Sequence, residues 1–435
     1  MALGGGTWLV QNKVLPGTYI NFVSAKRAML TFADRGYAAL PLILDWGVES
    51  EVFTVENEDF QTNSRKIFGY SYDHEKMKPL RDLFLNAKTL YAYRVNDSTK
   101  AVSAYGNAKY GGIRGNDLKI VIQTNVDDVT KFDVSTYLDT SIVDTQTVAS
   151  AADLIDNDFI DFDKTATLAA TSGTPLTGGT TGTATGDNYQ KFIDKIEGYY
   201  FNTTGYTGTD KTIKSLFTQF TKRMRDEIGA KFQCVLYRAE DADYEGVISV
   251  ENKSLTSGYA ESALVYWTVG AQAGCAVNKS VTNKVYDGEF EVETKENQTA
   301  LKDGINKGKF LFHKVEDKVR VLTDINTFTS ITVEKNIDFT SNQTIRVLDQ
   351  IAIDVATIFN TRYLGQVPND AEGRTDLWKD IVKHHEELLR IRAIENFTDA
   401  DITVLKGEDK KSVLITDNVT PVNCMEKLYM TVVVA

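Results

Sequence analysis

Residues 205–212 read Gly205-Tyr206-Thr207-Gly208-Thr209-Asp210-Lys211-Thr212, with glycines, a lysine and a hydroxyl in roughly the order a phosphate-binding loop needs. Such a loop requires glycine directly before Lys-Ser/Thr, so that backbone N–H groups wrap the anion while the lysine reaches its oxygens. Asp210 holds that place here and would repel phosphate, so the segment reads as a strand-to-helix turn capped by Thr209 or Asp210. A second candidate is His384-His385-Glu386-Glu387. A helical zinc site wants two histidines four apart on one face, whereas adjacent residues diverge by about 100°. Only His74 and His313 remain elsewhere, so the pair reads as a solvated or interface helix face. The acidic run from Asp153 to Asp163 has cation-like spacing but lacks the glycine and closing glutamate of a calcium loop, and reads as charged surface. No serine or cysteine sits in a nucleophile-elbow sequence, and no pair of carboxylates stands out as acid and base. The expectation is a non-enzymatic chain with no cofactor and no metal.

What must position these residues is large. At 435 residues the chain exceeds one ordinary core, and two to four domains are expected. A hydrophobic fraction of 42% and a charged fraction of 25% are those of a folded soluble protein. The net charge of −12 argues against nucleic acid as a partner, because phosphate binding needs concentrated Lys and Arg. Cys234, Cys275 and Cys424 are odd in number and form no metal spacing, which suits a reducing cytoplasm. The first residues lack the basic and apolar regions of a signal peptide. The uncharged stretch 262–278 is below bilayer length and reads as a buried element, so no membrane insertion is expected.

The expected fold class is α/β (α+β) multidomain, a mixed-sheet core with flanking helices, an inserted β-rich domain and extended N- and C-terminal strand arms. Residues 1–24 read as an extended arm. A continuous apolar run at 37–46 predicts a buried strand, followed by helices from residue 57 and over 78–86 and a strand at 89–95. Composition then shifts to Thr, Asp, Gly and Val, with short strands such as 118–124, and ends in a Thr/Gly stretch at 171–182 that reads as a linker. The α/β pattern resumes with a helix at 189–197, a strand at 199–204, a helix at 211–228 and a strand at 231–237. Residues 315–333 read as strands, 341–359 and 375–396 as long amphipathic helices, and 402–405 and 412–416 as strands. The resulting division is 1–24, 25–96, 97–186 (the insert), 187–335, 336–420 and 421–435.

Two surfaces look built for partners. On the helix from Thr375 to Arg392, Leu377, Ile381, Leu388 and Ile391 line an apolar stripe widened by Trp378, Val382 and Leu389. Its other side carries Lys379, Lys383, Glu386, Glu387, Arg390 and Arg392, which suits electrostatic docking. At the C-terminal end, Met425-Glu426-Lys427-Leu428-Tyr429-Met430-Thr431-Val432-Val433-Val434-Ala435 is β-prone with no charged side chain after Lys427. A strand of that composition is an aggregation hazard unless paired. Near the N-terminus Leu15-Pro16-Gly17-Thr18-Tyr19-Ile20-Asn21-Phe22-Val23 is a matching short strand. Two such ends predict strands that pair with sheets of their own or of neighbouring subunits, which is assembly rather than catalysis.

With those segments in view, the chain resembles the contractile-tail sheath proteins of myophages and phage-tail-like bacteriocins, nearest to the sheaths of PBSX-type prophages and related clostridial particles. The resemblance is carried by Pro16-Gly17-Thr18-Tyr19-Ile20, by Leu90-Tyr91-Ala92-Tyr93-Arg94-Val95 and by Trp267-Thr268-Val269-Gly270-Ala271-Gln272-Ala273-Gly274. It is carried further by Ala300-Leu301-Lys302-Asp303-Gly304-Ile305-Asn306 ahead of Val319-Arg320-Val321-Leu322, and by the closing strand. It covers nearly the whole length outside the insert. The resemblance implies a structural subunit that polymerises helically around an inner tail tube and contracts from a metastable extended state to drive the tube through a bacterial envelope. It implies inner tube, baseplate and tail terminator proteins as partners, a place in a virion or phage-tail-like particle, and assembly in the bacterial cytoplasm. On this reading Thr18, Tyr19, Ile20 and Phe22 at one end, and Leu428, Tyr429, Met430, Val432 and Val433 at the other, link subunits. The charged helix face at 375–392, or else the helix at 341–359, would meet the tube. The competing classes are a cytosolic α/β enzyme, for which a nucleophile or cofactor loop is missing, and a surface-layer or adhesion protein, which would need a secretion signal.

Overall fold

The computed structural model describes residues 35–434. Its largest sheet has seven strands in the order Lys309–Phe310, Val247–Val250, Gln233–Tyr237, Thr203–Tyr206, Tyr37–Leu42, Thr89–Arg94 and Val52–Glu56. Neighbours are parallel except at the Val52–Glu56 edge, which runs antiparallel to Thr89–Arg94. Parallel strands covered on both faces read as near-continuous apolar runs, and Gln233–Tyr237 and Val247–Val250 are buried at every residue, with Gln233 and Ser249 their only polar members.

Alternation along the strands divides two cores. Val235 and Tyr237 pack with α1 (Asn57–Phe68) and α2 (Lys78–Phe84), whereas Cys234 and Leu236 pack with α3 (Gly186–Ile196) and α4 (Lys211–Lys222). The first face is completed by α5 (Leu264–Gly274), in which nine of 11 residues are buried, so the helix shows no polar side. α5 crosses α2 closely because Gly270 and Gly274 present no side chain: a Cβ at Gly270 would sit 2.2 Å from the Leu83 carbonyl oxygen, and one at Gly274 2.0 Å from that of Asn86. After α6 (Gln298–Asn306) come α7 (Asn342–Ile358) and α8 (Ala371–Arg390), then the antiparallel hairpin of Ile402–Lys406 with Val413–Asp417.

The β-rich part is an antiparallel sheet of Thr171–Pro175, Leu118–Thr124, Phe132–Leu138 and Ser141–Val148, closed by smaller strand pairs. Leu118, Ile120 and Ile122 alternate into a core shared with Trp46 and Leu176. The stretch 171–182 is therefore not a linker. Thr171–Pro175 pairs with Leu118–Thr124 through an irregularity at Gly173, Leu176 is fully buried, and Thr180–Thr181 pairs with Ser98–Thr99. β-branched threonine suits an edge strand as well as a loop, and the glycines serve the bulge and the turn.

Other boundaries differ in detail. The strand expected at 199–204 begins only at Thr203, and just ahead of it the Asn202 side chain accepts the Gly36 and Tyr37 N–H groups at 2.9 and 3.1 Å. Within 315–333 only Lys318–Val321 is a full strand, paired with Phe312–Val315. α4 continues as expected, its last turn widened to a π-helix over Arg223–Ile228. No strand is formed over residues 423–434 in the single chain.

Candidate assembly interface

The loop before α4 is a helix cap, not an anion cradle. Asp210 Oδ1 accepts the backbone N–H groups of Thr212 and Ile213 at 2.8 and 3.0 Å, placing a carboxylate where phosphate would sit. The acidic run at 153–163 is spent locally: Asp156 pairs with Lys164 at 2.6 Å, Asp158 with Lys66 at 2.8 Å, and Asp163 accepts from the Thr165 N–H at 2.8 Å. Among the described residues no group of three His, Cys, Asp or Glu side chains is arranged to hold a metal ion. No helix among them is long and apolar enough to cross a membrane.

The histidine pair corrects the expectation of a solvated or interface face. His384 and His385 are 1% and 0% exposed. The 100° step between neighbours sends one ring toward α7 and the other toward the hairpin. His384 Nε2 lies 3.0 Å from Asp354 Oδ2, and His385 Nε2 lies 3.0 Å from Asp417 Oδ2 while its Nδ1 faces the Ile381 carbonyl at 3.0 Å. His384 thus bonds α8 to α7, while His385 packs beside Asp417 of the hairpin.

α8 is capped by Asp370, whose Oδ1 accepts the Gly373 N–H at 2.8 Å. Leu377, Ile381 and Leu388 are buried as the stripe predicts, Val382 joins them, Trp378 donates Nε1–H to the Ile402 carbonyl at 3.0 Å, and Leu389 instead faces outward. The opposite side presents Lys379, Lys383, Glu386, Arg390 and Arg392 to solvent, with Glu387 half-buried. Two local ion pairs cross it, Lys379–Asp376 at 3.1 Å and Arg390 Nε–Glu387 Oε2 at 2.7 Å. Hydrogen bonding to Arg390 holds the Glu387 carboxyl below its usual range.

Thr18, Tyr19, Ile20 and Phe22 lie outside the described residues. At the other end Leu428, Tyr429, Met430, Val432 and Val433 are 86, 89, 75, 70 and 85% exposed, a run of apolar side chains with no cover from the body. Two features escape the sequence reading. One is a buried polar seam in which Arg346 Nη2 donates to Gln272 Oε1 at 2.6 Å and faces Asp324 Oδ2 at 3.2 Å. Its one sequence signal is an arginine inside the apolar run Ile345-Arg346-Val347. The other is the set of polar contacts around residues 422–426, which no spacing announces.

A seven-stranded mixed sheet with a β-sandwich insert and a long C-terminal helix pair is the architecture of contractile-tail sheaths. Residues 35–95, 96–183, 182–327 and 334–435 match, in turn, family models for the tail sheath protein Gp18 domain III N-terminal region, the phage tail sheath protein beta-sandwich domain, the phage tail sheath protein central domain and the phage tail sheath C-terminal domain. The chain is 32% identical to the phage-like element PBSX protein XkdK of Bacillus subtilis (strain 168), over 99% of both chains. A crystal structure of a sheath tail protein from Desulfitobacterium hafniense superposes with a TM-score of 0.83 at 38% identity, covering 95% of this chain and 99% of that one. The helical sheath of the anti-feeding prophage in its contracted state shares the fold at a TM-score of 0.54 and 11% identity, over 97 and 99% of the two chains. The protein belongs to the phage tail sheath family.

Proposed function

We infer that this sheath subunit polymerises as a helical array around an inner tail tube and contracts to drive that tube through a bacterial envelope. The observation that carries the reading is the continuous exposed apolar run from Leu428 to Val434 at the C-terminal end. Bare β-prone chain of that kind is stable at high concentration when it adds a strand to another subunit's sheet, with main-chain hydrogen bonds giving strength and a flexible arm permitting rotation. Residues 18–22 supply the second linking strand in this reading. Head-to-tail contacts that do not close into a ring generate a helix. The stored energy lies in assembled interfaces, so no nucleotide is needed.

The charged face of α8 is the tube-facing element. Its side chains are polar and mostly exposed, with two exposed ion pairs, Lys379–Asp376 and Arg390–Glu387, which suits a contact that must release during contraction. Baseplate and tail terminator proteins cap the array, and the subunits are made and assembled in the bacterial cytoplasm before becoming part of a virion or phage-tail-like particle. Negative-stain electron microscopy of the concentrated protein is the test. Striated hollow tubes or rings are expected, and their loss on deletion of residues 425–435 from a folded monomer. A monodisperse monomer that persists with its tube partner present overturns the reading.

A further inference from the structure

Just before the exposed run, the chain is gripped in an unusual way. Gln343, on the first turn of α7 and 2% exposed, donates Nε2–H to the Val422 carbonyl at 2.9 Å and accepts the Cys424 N–H on Oε1 at 2.9 Å. The carbonyl of one residue and the N–H two positions on project to the same side of an extended chain, and one residue of a parallel neighbour strand binds both. The Gln343 amide thus stands in for a strand. Between its two bonds, Asn423 accepts from Ser341 Oγ at 2.9 Å and donates to Thr344 Oγ1 at 3.1 Å. Upstream, the Val422 N–H donates to the Ala393 carbonyl at 2.9 Å, continuing the pairing of Thr420–Pro421 with Ile394–Glu395.

A second grip follows at Glu426. Its carboxylate accepts Thr282 Oγ1–H at 2.6 Å and Thr323 Oγ1–H at 2.9 Å, from two loops outside the C-terminal helices. The inner grip is half-buried and made by a side chain that can satisfy donor and acceptor at once. The outer grip is exposed and made by neutral hydroxyls, so it holds direction without a charge partner to lock it.

We propose that Gln343 and Glu426 are positioning residues for subunit linkage: Gln343 fixes the root of the C-terminal arm as a mock strand, and Glu426, held by Thr282 and Thr323, aims residues 427–434 at the sheet of a second copy. The inference rests on the reading of 427–434 as a linking arm. A free eight-residue tether explores about 16 Å from its last fixed point, so moving that point back toward Pro421 widens the search and dilutes the arm at its target.

The experiment uses four variants of the chain: Glu426→Ala, Glu426→Gln, Gln343→Ala and a deletion of 427–435. The critical concentration for tube assembly is read by sedimentation. Electron–electron spin distances are read between nitroxides at Lys427→Cys and Lys302→Cys in a Cys275→Ser, Cys424→Ser background. Glu426→Ala is expected to keep the melting temperature of the parent and Gln343→Ala to lower it, and both to broaden the distance distribution and raise the critical concentration by about fivefold or more. Glu426→Gln, which keeps an acceptor for the threonines, is expected to restore both readouts. Glu426→Ala is at the surface and keeps the test valid even where Gln343→Ala folds poorly. If the deletion assembles like the parent, the arm reading fails and this inference falls with it. If the deletion is inert while the point variants assemble at the parent's concentration with unchanged distances, the positioning role alone is overturned.

Discussion

Arg225 and Asp349 meet as a buried, two-pronged ion pair, with Nη1–Oδ2 at 2.6 Å and Nη2–Oδ1 at 2.8 Å. Arg225 sits on the π-helical turn after α4 and also donates to the Phe232 carbonyl at 2.6 Å, while Asp349 projects from α7. The pair ties the central sheet layer to the C-terminal helices. Burial pulls the Arg225 pKa down, but the charge and hydrogen bonds of Asp349 outweigh it and raise the value above that of an ordinary arginine.

Removing one partner leaves the other charge buried. Asp349→Ala is expected to cost about 3–5 kcal/mol in chemical denaturation. Exchange of both residues for apolar side chains of similar volume is expected to cost far less than the two single changes together, a non-additivity that a double-mutant cycle reads directly.

Gly270 is the close point between α5 and α2. An alanine there must push back the Leu83 backbone, since its Cβ would otherwise lie 2.2 Å from the carbonyl oxygen. Backbone cannot yield as a side-chain tip does, so Gly270→Ala is expected to destabilise by about 3 kcal/mol despite the higher helix propensity of alanine. Gly365→Ala, where nothing lies within 4 Å but φ is +71°, separates backbone strain from collision and is expected to cost only about 1 kcal/mol. Thermal melts of the two variants check this.

Asp82 is fully buried on α2, accepting the Tyr286 hydroxyl and the Glu289 N–H, the latter at 2.8 Å. Burial pushes its carboxyl up from 3.8 to about 6, against the pull of those hydrogen bonds. A carboxyl whose folded pKa is raised binds a proton more tightly folded than unfolded. Its contribution to stability is therefore full below pH 3.8 and is lost as pH rises through about 6. The displacement corresponds to about 3 kcal/mol at most. Asp82→Asn, neutral at every pH, is expected to flatten the stability profile between pH 4 and pH 6.5, as denaturation midpoints across that range will show.

The legible elements are those whose own period decides their fate. The apolar run at Tyr37–Leu42, the alternation in Leu118–Thr124 and the stripe of α8 each carry their burial in their spacing. α5 could be read only as buried, because a helix covered all round has no polar side to betray its period. Thr171–Pro175 was illegible because threonine and glycine serve a loop and an edge strand equally. His384 and His385 read as surface because their partners, Asp354 and Asp417, belong to other elements. The contacts of Gln343 were beyond reach for the same reason: a polar side chain at a helix start looks solvated until the chain that crosses it is known.

If the charged face of α8 meets the inner tube, reversing it must weaken that contact and nothing else. Lys379 and Lys383 are exposed, and the Lys379–Asp376 pair, with both side chains more than half exposed, contributes at most about 1 kcal/mol. Lys379→Glu with Lys383→Glu leaves Leu377, Ile381 and Leu388 untouched on the opposite side, so the melting temperature and arm-mediated self-assembly should stay those of the parent. Binding to purified tube, read by co-sedimentation, is expected to fall about tenfold at low salt, and the difference from the parent should shrink as salt screens the face. Parent-like tube binding at low salt would move the tube contact off α8 and onto the last turn of α7, where Ala356 and Thr357 are exposed.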